Sequence, residues 1–313
     1  MRRTSALAAL LLATSLALVA CGSGGSGDSG DDVVSTESGI GVSGEFGDKP
    51  ELDLPGADPS ADLVVEVLSE GDGAEVEEGD YLIAHYLGQT WEPAEGGEAN
   101  IFDNSYDRGE PAGFSIGIGA VIPGWDEGLI GKTTGSRVLL SIPPDKAYAD
   151  APPEGSTIEA GATLVFVIDI VDTFGDDAGI SGAPVTGLPA DMPTISGEGA
   201  DVPTVAFPDT ATPVDTSTAD VVVEGDGEDL GERLVIKVVQ ASYTTKETQF
   251  SSWDEGAGPI TMAPDQLPGL TEALAGRKVG TRAVVRIAAA DNVTDEAPDG
   301  EPIVIVVDVI GTL

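Results

Sequence analysis

One histidine, His85, and one cysteine, Cys21, are all that this 313-residue chain holds of those residue types. A lone thiol cannot close a disulfide within the chain. One imidazole leaves Ser-His-Asp, Cys-His and zinc chemistry poorly supplied. No Gly-rich phosphate loop followed by its lysine occurs. The acidic trio Asp72, Glu75 and Glu77 lacks the regular alternation of a calcium loop. No metal and no cofactor is therefore expected. Basic residues are also scarce, with 14 Lys and Arg against 55 Asp and Glu and a net charge of −41. Such a surface repels nucleic acid and anionic lipid and keeps a chain in solution. It serves as a solubilising shell or, alternatively, as a preference for basic clients. Hydrophobic residues still reach 41%, enough for real cores, and the length allows about two domains.

The first residues read as an export leader. Arg2-Arg3 is followed by an apolar run from Ala6 to Ala20, too short to span a membrane. The run ends in Leu18-Val19-Ala20-Cys21, which resembles a bacterial lipobox. The resemblance implies cleavage of residues 1–20, a lipid thioether on Cys21, and anchorage to the outer face of the cell membrane. The Gly/Ser/Asp run after Cys21 reads as a flexible tether over 21–43.

One layout then occurs twice. Val121-Ile122-Pro123-Gly124-Trp125 through Leu129 to Gly131 matches Gln266-Leu267-Pro268-Gly269-Leu270 through Leu274 to Gly276. Pro50-Glu51-Leu52-Asp53-Leu54-Pro55 resembles Pro203-Thr204-Val205-Ala206-Phe207-Pro208. Leu63 to Gly73 resembles Val221 to Gly227. The reading is one β-rich unit over 44–175, a turn-rich linker over 176–197, and a second unit over 198–313. Alternating Val138, Leu140 and Ile142 predict a half-buried strand. The apolar runs Thr163–Ile168 and Ile303–Ile310 predict central strands. Each unit has one convincing short helix, with Trp125 and Leu129 on one face in the first and Leu270, Ala273 and Leu274 on one face in the second. The expected fold class is α+β, each unit a curved antiparallel sheet wrapped on its helix.

The first unit spreads aromatics over strand ends, turn and helix. Its segments Gly79 to Gly88, Ile101 to Ser105, Arg108 to Pro111, Phe114 to Gly117, Val121 to Gly128, Ile142 to Tyr148 and Ala162 to Phe166 resemble FKBP-type peptidyl-prolyl isomerases, in family order across about 75–174. The resemblance implies two tandem FKBP-like domains, the second degenerate. It makes Trp125 the floor of a proline pocket, with Tyr86, Phe102, Phe166 and Val121 as walls. Phe114 joins the substrate-binding set as a core neighbour. Tyr148 and the Ile122 amide would hydrogen-bond substrate carbonyls. Asp103 would orient Tyr86, Arg108 would hold Asp103, and Ile158 would close the rim. Tyr86, Asp103 and Tyr148 would be the catalytic group. The clients implied are proline-containing exported proteins; the alternative is a non-catalytic client-binding chaperone or interaction module at the membrane surface.

Departures from the pattern are local. The stretch Leu87–Ile101 is long, with Trp91 and Gly96-Gly97, and reads as an extended hairpin or flap. Ala112 thins one wall, Ala120 replaces a polar residue, and the loop Asp150–Glu154 is acidic and Pro-rich. The second unit sets Val235–Val239 at His85-Tyr86, Phe250-Ser251 at Phe102-Asp103, Gly256 at Arg108 and Leu270 at Trp125. Nothing in its Ile287–Val293 stretch matches Tyr148. Trp253 reads equally as an exposed anchor or a buried plug.

Overall fold

The computed structural model describes residues 34–254, 256–293 and 297–313. The leader and Cys21 lie outside them. The first half carries β1 Val34–Ser35, β2 Gly41–Ser43, β3 Glu51–Asp53, β4 Val64–Ser69, β5 Tyr81–Thr90, β6 Ile101–Asn104, β7 Ala112–Ser115, helix α1 Pro123–Leu129, β8 Arg137–Ile142 and β9 Leu164–Phe174. The second carries β10 Ala183–Pro184, β11 Thr194–Ser196, β12 Thr204–Ala206, β13 Thr218–Glu224, β14 Leu234–Ser242, β15 Thr248–Ser251, β16 Ile260–Met262, helix α2 Leu270–Leu274, β17 Arg282–Ile287 and β18 Ile303–Thr312.

Period-two patterning decides which way each strand faces. On β8, Val138, Leu140 and Ile142 point to the helix side. Leu139 points to the opposite face with Val165 and Val167 of β9. The first sheet runs β4-β8-β9-β5-β6, with β7 also paired to β5, and every pairing is antiparallel. The sheet curls around α1. Seven residues are too few for a helix to hold by propensity, so burial of Trp125 and Leu129 must hold it. Gly124 and Gly128 let the helix backbone come close. A Cβ at Gly124 would meet Ile142 at 2.4 Å, and one at Gly128 would meet Leu140 at 2.7 Å.

The second sheet repeats this order as β13-β17-β18-β14-β15, with β16 paired to β14. The predicted central strands, β9 and β18, lie at the centre of both.

The expected tether and linker are partly folded. Residues 34–43 enter a three-stranded sheet with β3, and Ile40 and Val42 bury against Leu139, Val165 and Val167 on the outer face. The Gly/Ser/Asp composition before them masks two apolar residues that the outer face requires. The 176–197 segment likewise supplies β10, paired to β13, and β11, paired to β12, with Met192 buried against Val222, Val284 and Val304. Strand structure is therefore present before residues 44 and 198, as a hairpin on the outer face of each sheet.

Each hairpin is clamped by one buried ion pair. Arg137 meets Asp169 through Nε at 2.6 Å, and its other nitrogens donate to the Gly44 and Asp48 carbonyls, both at 2.6 Å. Arg282 meets Asp308 at 2.5 Å and donates to the Gly197 carbonyl at 2.7 Å. The two halves pack through Tyr81 and Ile83 against Val235 and Ile310, beside an ion pair of 2.9 Å between Glu110 and Arg233.

Candidate active site

The concave side of the first sheet holds an open cup of about 400 Å³. Tyr86 comes from the middle of β5, Phe102 and Asp103 from β6, Phe114 from β7, and Phe166 from β9. Val121 and Ile122 come from the turn into α1, Trp125 from the helix, and Tyr148 and Ile158 from the loop after β8. Ten of the eleven substrate-binding candidates thus share one lining. The eleventh, Arg108, stands behind Asp103. Ala120, Pro153 and Ser156 complete the rim. Ala120 and the loop of Pro153 show in the sequence as departures from the family pattern; Ser156 leaves no signal there.

Trp125 is buried at the base, crossed edge-on by three rings. Its centroid lies 5.6 Å from Tyr86, 4.9 Å from Phe114 and 5.3 Å from Phe166. Edge-to-face pairs of this kind fix ring orientation as well as burying area. Phe102 stands against Phe166 at 5.5 Å. The indole Nε1 is buried without a partner among the described residues, at a cost that the packing around it must offset.

One polar edge interrupts the apolar wall. The Tyr86 hydroxyl donates to Asp103 at 2.5 Å, while Arg108 donates to Asp103 at 2.5 Å and to the Tyr86 oxygen at 2.8 Å. Burial and the Asp103 bond push the Tyr86 phenol up to about 12, with Arg108 pulling the other way. Burial and the charge of Asp103 also raise Tyr148, so both phenols remain protonated donors near neutrality.

The loops carrying the rim are tied down. Asp126 accepts from the Gly117 and Gly119 amides at 2.6 and 2.9 Å and so fixes the turn before Val121. Pro123 sets the start of α1 and leaves Ile122 extended. Ala149, next to Tyr148, has a φ of 49° and donates to the Pro144 carbonyl at 2.8 Å. A left-handed alanine is disfavoured, so this turn is held by its surroundings and presents Tyr148 to the cup. Lys146 binds Glu127 of α1 at 2.6 Å and joins that loop to the helix. The flap after β5 turns away. Trp91 packs with Leu52 and Leu54 on the outer face, and no residue of 91–99 lines the cup.

Register corrects the expected matches in the second half. Lys237 pairs with Asp308 as His85 pairs with Asp169, so Val238 holds the Tyr86 position. The Ser252 hydroxyl accepts from the Val238 amide at 3.0 Å, as Ser105 accepts from Tyr86 at 2.8 Å. This sets Phe250 at Asp103 and Gln249 at Phe102, one residue away from the sequence match. The Arg108 counterpart, read as Gly256, counts instead to position 255, outside the described residues. Trp253 is half-buried. It donates to the Ala200 carbonyl at 2.9 Å and lies 5.7 Å from Lys237, as Tyr106 stacks on His85 at 5.0 Å.

A curved antiparallel sheet closed on a short helix, with an aromatic cup at the helix start, defines a proline isomerase of the FKBP type. Residues 73–171 match the family described as FKBP-type peptidyl-prolyl cis-trans isomerase. The chain belongs to this family, and that domain is a peptidyl-prolyl isomerase. The FK506-binding protein of Streptomyces anulatus is 42% identical over 124 residues, covering 40% of this chain and 96% of that protein. The probable FK506-binding protein of Corynebacterium glutamicum is 39% identical over 125 residues, covering 40% of this chain and 98% of that one. Among solved structures, AtFKBP13 is 35% identical, covers 36% of this chain and 93% of its own, and superposes with a TM-score of 0.30.

Proposed function

We propose that this isomerase acts on X-Pro bonds of exported proteins from a lipid anchor at the outer face of the cell membrane. The observation that carries the catalytic part is the cup itself. Rotation about a peptide bond has a barrier of ~18–20 kcal/mol, and uncatalysed X-Pro exchange takes roughly tens to hundreds of seconds. No bond breaks, so a nucleophile contributes nothing. What lowers the barrier is a dry wall that favours the twisted amide, whose resonance is lost, over the planar one. Trp125 and the rings around it supply that wall. In this reading the proline ring rests on Trp125, and the Ile122 amide and Tyr148 hydroxyl hold the flanking carbonyls. Tyr86 is oriented by Asp103, and Asp103 by Arg108. The Leu18–Cys21 motif is the support for the anchor.

The second half is read as a degenerate FKBP-like domain. Its strand order, its clamped hairpin and its short buried helix support this. Val238, Gln249, Phe250 and Leu270 are read at the positions of Tyr86, Phe102, Asp103 and Trp125, so in this reading the described residues carry no set of proline-cup side chains. Its apolar contact with Tyr81 and Ile83 favours a supporting role.

The full chain should speed the proline-limited phase of a reporter protein's refolding. A rate equal to buffer with folded protein would refute turnover. Native protein should partition into detergent, and Cys21→Ser should remove that behaviour. Partitioning unchanged by the substitution would refute the anchor.

A further inference from the structure

At one pair of matched positions, the outer face of the first half carries a hydroxyl where the second carries a cation. On β17, Arg286 stands two pairs beyond Val284, and on β8, Ser141 stands two beyond Leu139. Counting from the matched arginines, Arg282 and Arg137, makes Arg286 the counterpart of Ser141. The neighbouring strand matches as well: Asp220 pairs with Val284 as Glu66 pairs with Leu139. In the second half, the buried Arg286 guanidinium meets Asp220 and Asp191, each at 3.2 Å. The first half keeps an acid at that place and loses the cation.

A cavity of about 500 Å³ occupies the corresponding region of the first half. Glu66, Glu37 and Asp58 line it with Ser141 and Trp91. Ser141 is 1% exposed, and its hydroxyl has no partner among the described residues. Glu66 accepts the Glu37 and Ser38 amides, both at 2.8 Å. Two oxygens offer about four acceptor sites, so these bonds leave room for a fork of N–H donors. Trp91 is held in place by its indole bond to the Ala57 carbonyl at 3.2 Å, and an aromatic face of this kind attracts a cation.

We infer that this cavity is a binding site for an arginine side chain of another polypeptide, which supplies in trans the guanidinium that Arg286 supplies in the second half. The guanidinium would meet Glu66 and the other carboxylates, the Ser141 hydroxyl would accept from it, and Trp91 would pack on its plane. The site lies on the outer face, apart from the proline cup. A basic client segment could therefore be held while a proline elsewhere in it turns over.

The test uses the full chain and a fluorescent pentapeptide, Gly-Gly-Arg-Gly-Gly, against the same peptide with citrulline in place of arginine. At about physiological salt, where long-range attraction to the acidic surface is screened, the arginine peptide should bind at least ten-fold more tightly. Ser141→Arg, which imitates the second half, should abolish binding without changing isomerase activity. Glu66→Gln should weaken binding even if Ser141→Arg fails to fold. The charge-matched change Thr245→Arg, at an exposed position away from the cavity, should leave binding intact. Equal affinity for arginine and citrulline peptides would overturn the proposal. So would loss of binding in Thr245→Arg equal to that in Ser141→Arg, which would mean charge attraction only.

Discussion

The Tyr86 hydroxyl donates to the Asp103 carboxylate at 2.5 Å, across the step from β5 to β6 that forms one lip of the cup. Bonds to charged acceptors contribute about 1.5–3 kcal/mol each. Asp103 is also half-exposed, so water offsets part of any loss. Asp103→Asn and Tyr86→Phe should each lower kcat/KM by about ten-fold, roughly 1.4 kcal/mol, with little change in unfolding midpoint. Arg108→Gln, on the solvent side of the triangle, should cost less. Protease-coupled peptide assays read the rates. An unchanged kcat/KM in Asp103→Asn would remove the orienting role.

Trp125 and Leu270 each follow a Pro-Gly pair and are each buried on a short helix beside a sheet of the same strand order. Trp125→Leu puts the residue of the second helix at the floor of the cup. It should remove most isomerase activity and, by loss of buried ring area, cost about 2 kcal/mol or more of stability. Leu270→Trp should give no activity, because Val238, Gln249 and Phe250 still stand where the other walls would be. Leu270 is fully buried, so overpacking should cost about 1–3 kcal/mol. Activity gained in Leu270→Trp would show that the wall residues matter less than the floor.

The cup was legible because its parts lie in short ordered motifs: Pro123-Gly124-Trp125 reads as a turn into a helix, and β-branched runs read as strands. The hairpins over the outer faces were not. Ile40 and Val42 are two apolar residues in a polar stretch, and only the tertiary face made by Leu139, Val165 and Val167 gives them a place. The shift at Phe250 arose for a similar reason. Sequence similarity aligned phenylalanine with phenylalanine, whereas backbone pairing and the Ser252 hydroxyl fix the register one residue further along. Arg137 and Asp169 lie 32 residues apart, and no local pattern announces their pairing.

Burial raises all five phenols, Tyr81, Tyr86, Tyr106, Tyr148 and Tyr243, and so predicts how stability changes at high pH. Burial pushes Tyr86 and Tyr243 each up to about 12 in the folded chain, against roughly 10 when unfolded. Below pH 10 both states keep the proton, so the contribution is fully present. Between about 10 and 12 the unfolded chain releases its protons first, and stability falls as pH rises. Urea midpoints measured from pH 9 to 12 should decline, and Tyr243→Phe should flatten that decline. Isomerase activity should carry no step from Tyr86 below pH 10. A flat midpoint across the range would contradict the burial of both rings.

The clamp under the first hairpin gives the largest expected effect on stability. Asp169 takes two bonds from Arg137 and also accepts from the Gly47 amide at 2.6 Å and the Tyr106 hydroxyl at 2.9 Å. Removing one partner strands a buried charge, which costs about 3–5 kcal/mol, whereas replacing both with apolar residues can be nearly neutral. Asp169→Asn should therefore destabilise the chain strongly. Arg137→Met with Asp169→Leu should recover much of the loss in the sheet but not the hairpin, because the Gly44 and Asp48 carbonyls lose their donor. Amide exchange should separate these outcomes. In the double variant, 41–53 should exchange quickly while β8 and β9 stay protected. Equal protection of hairpin and sheet would mean that Ile40 and Val42 alone hold the cover in place.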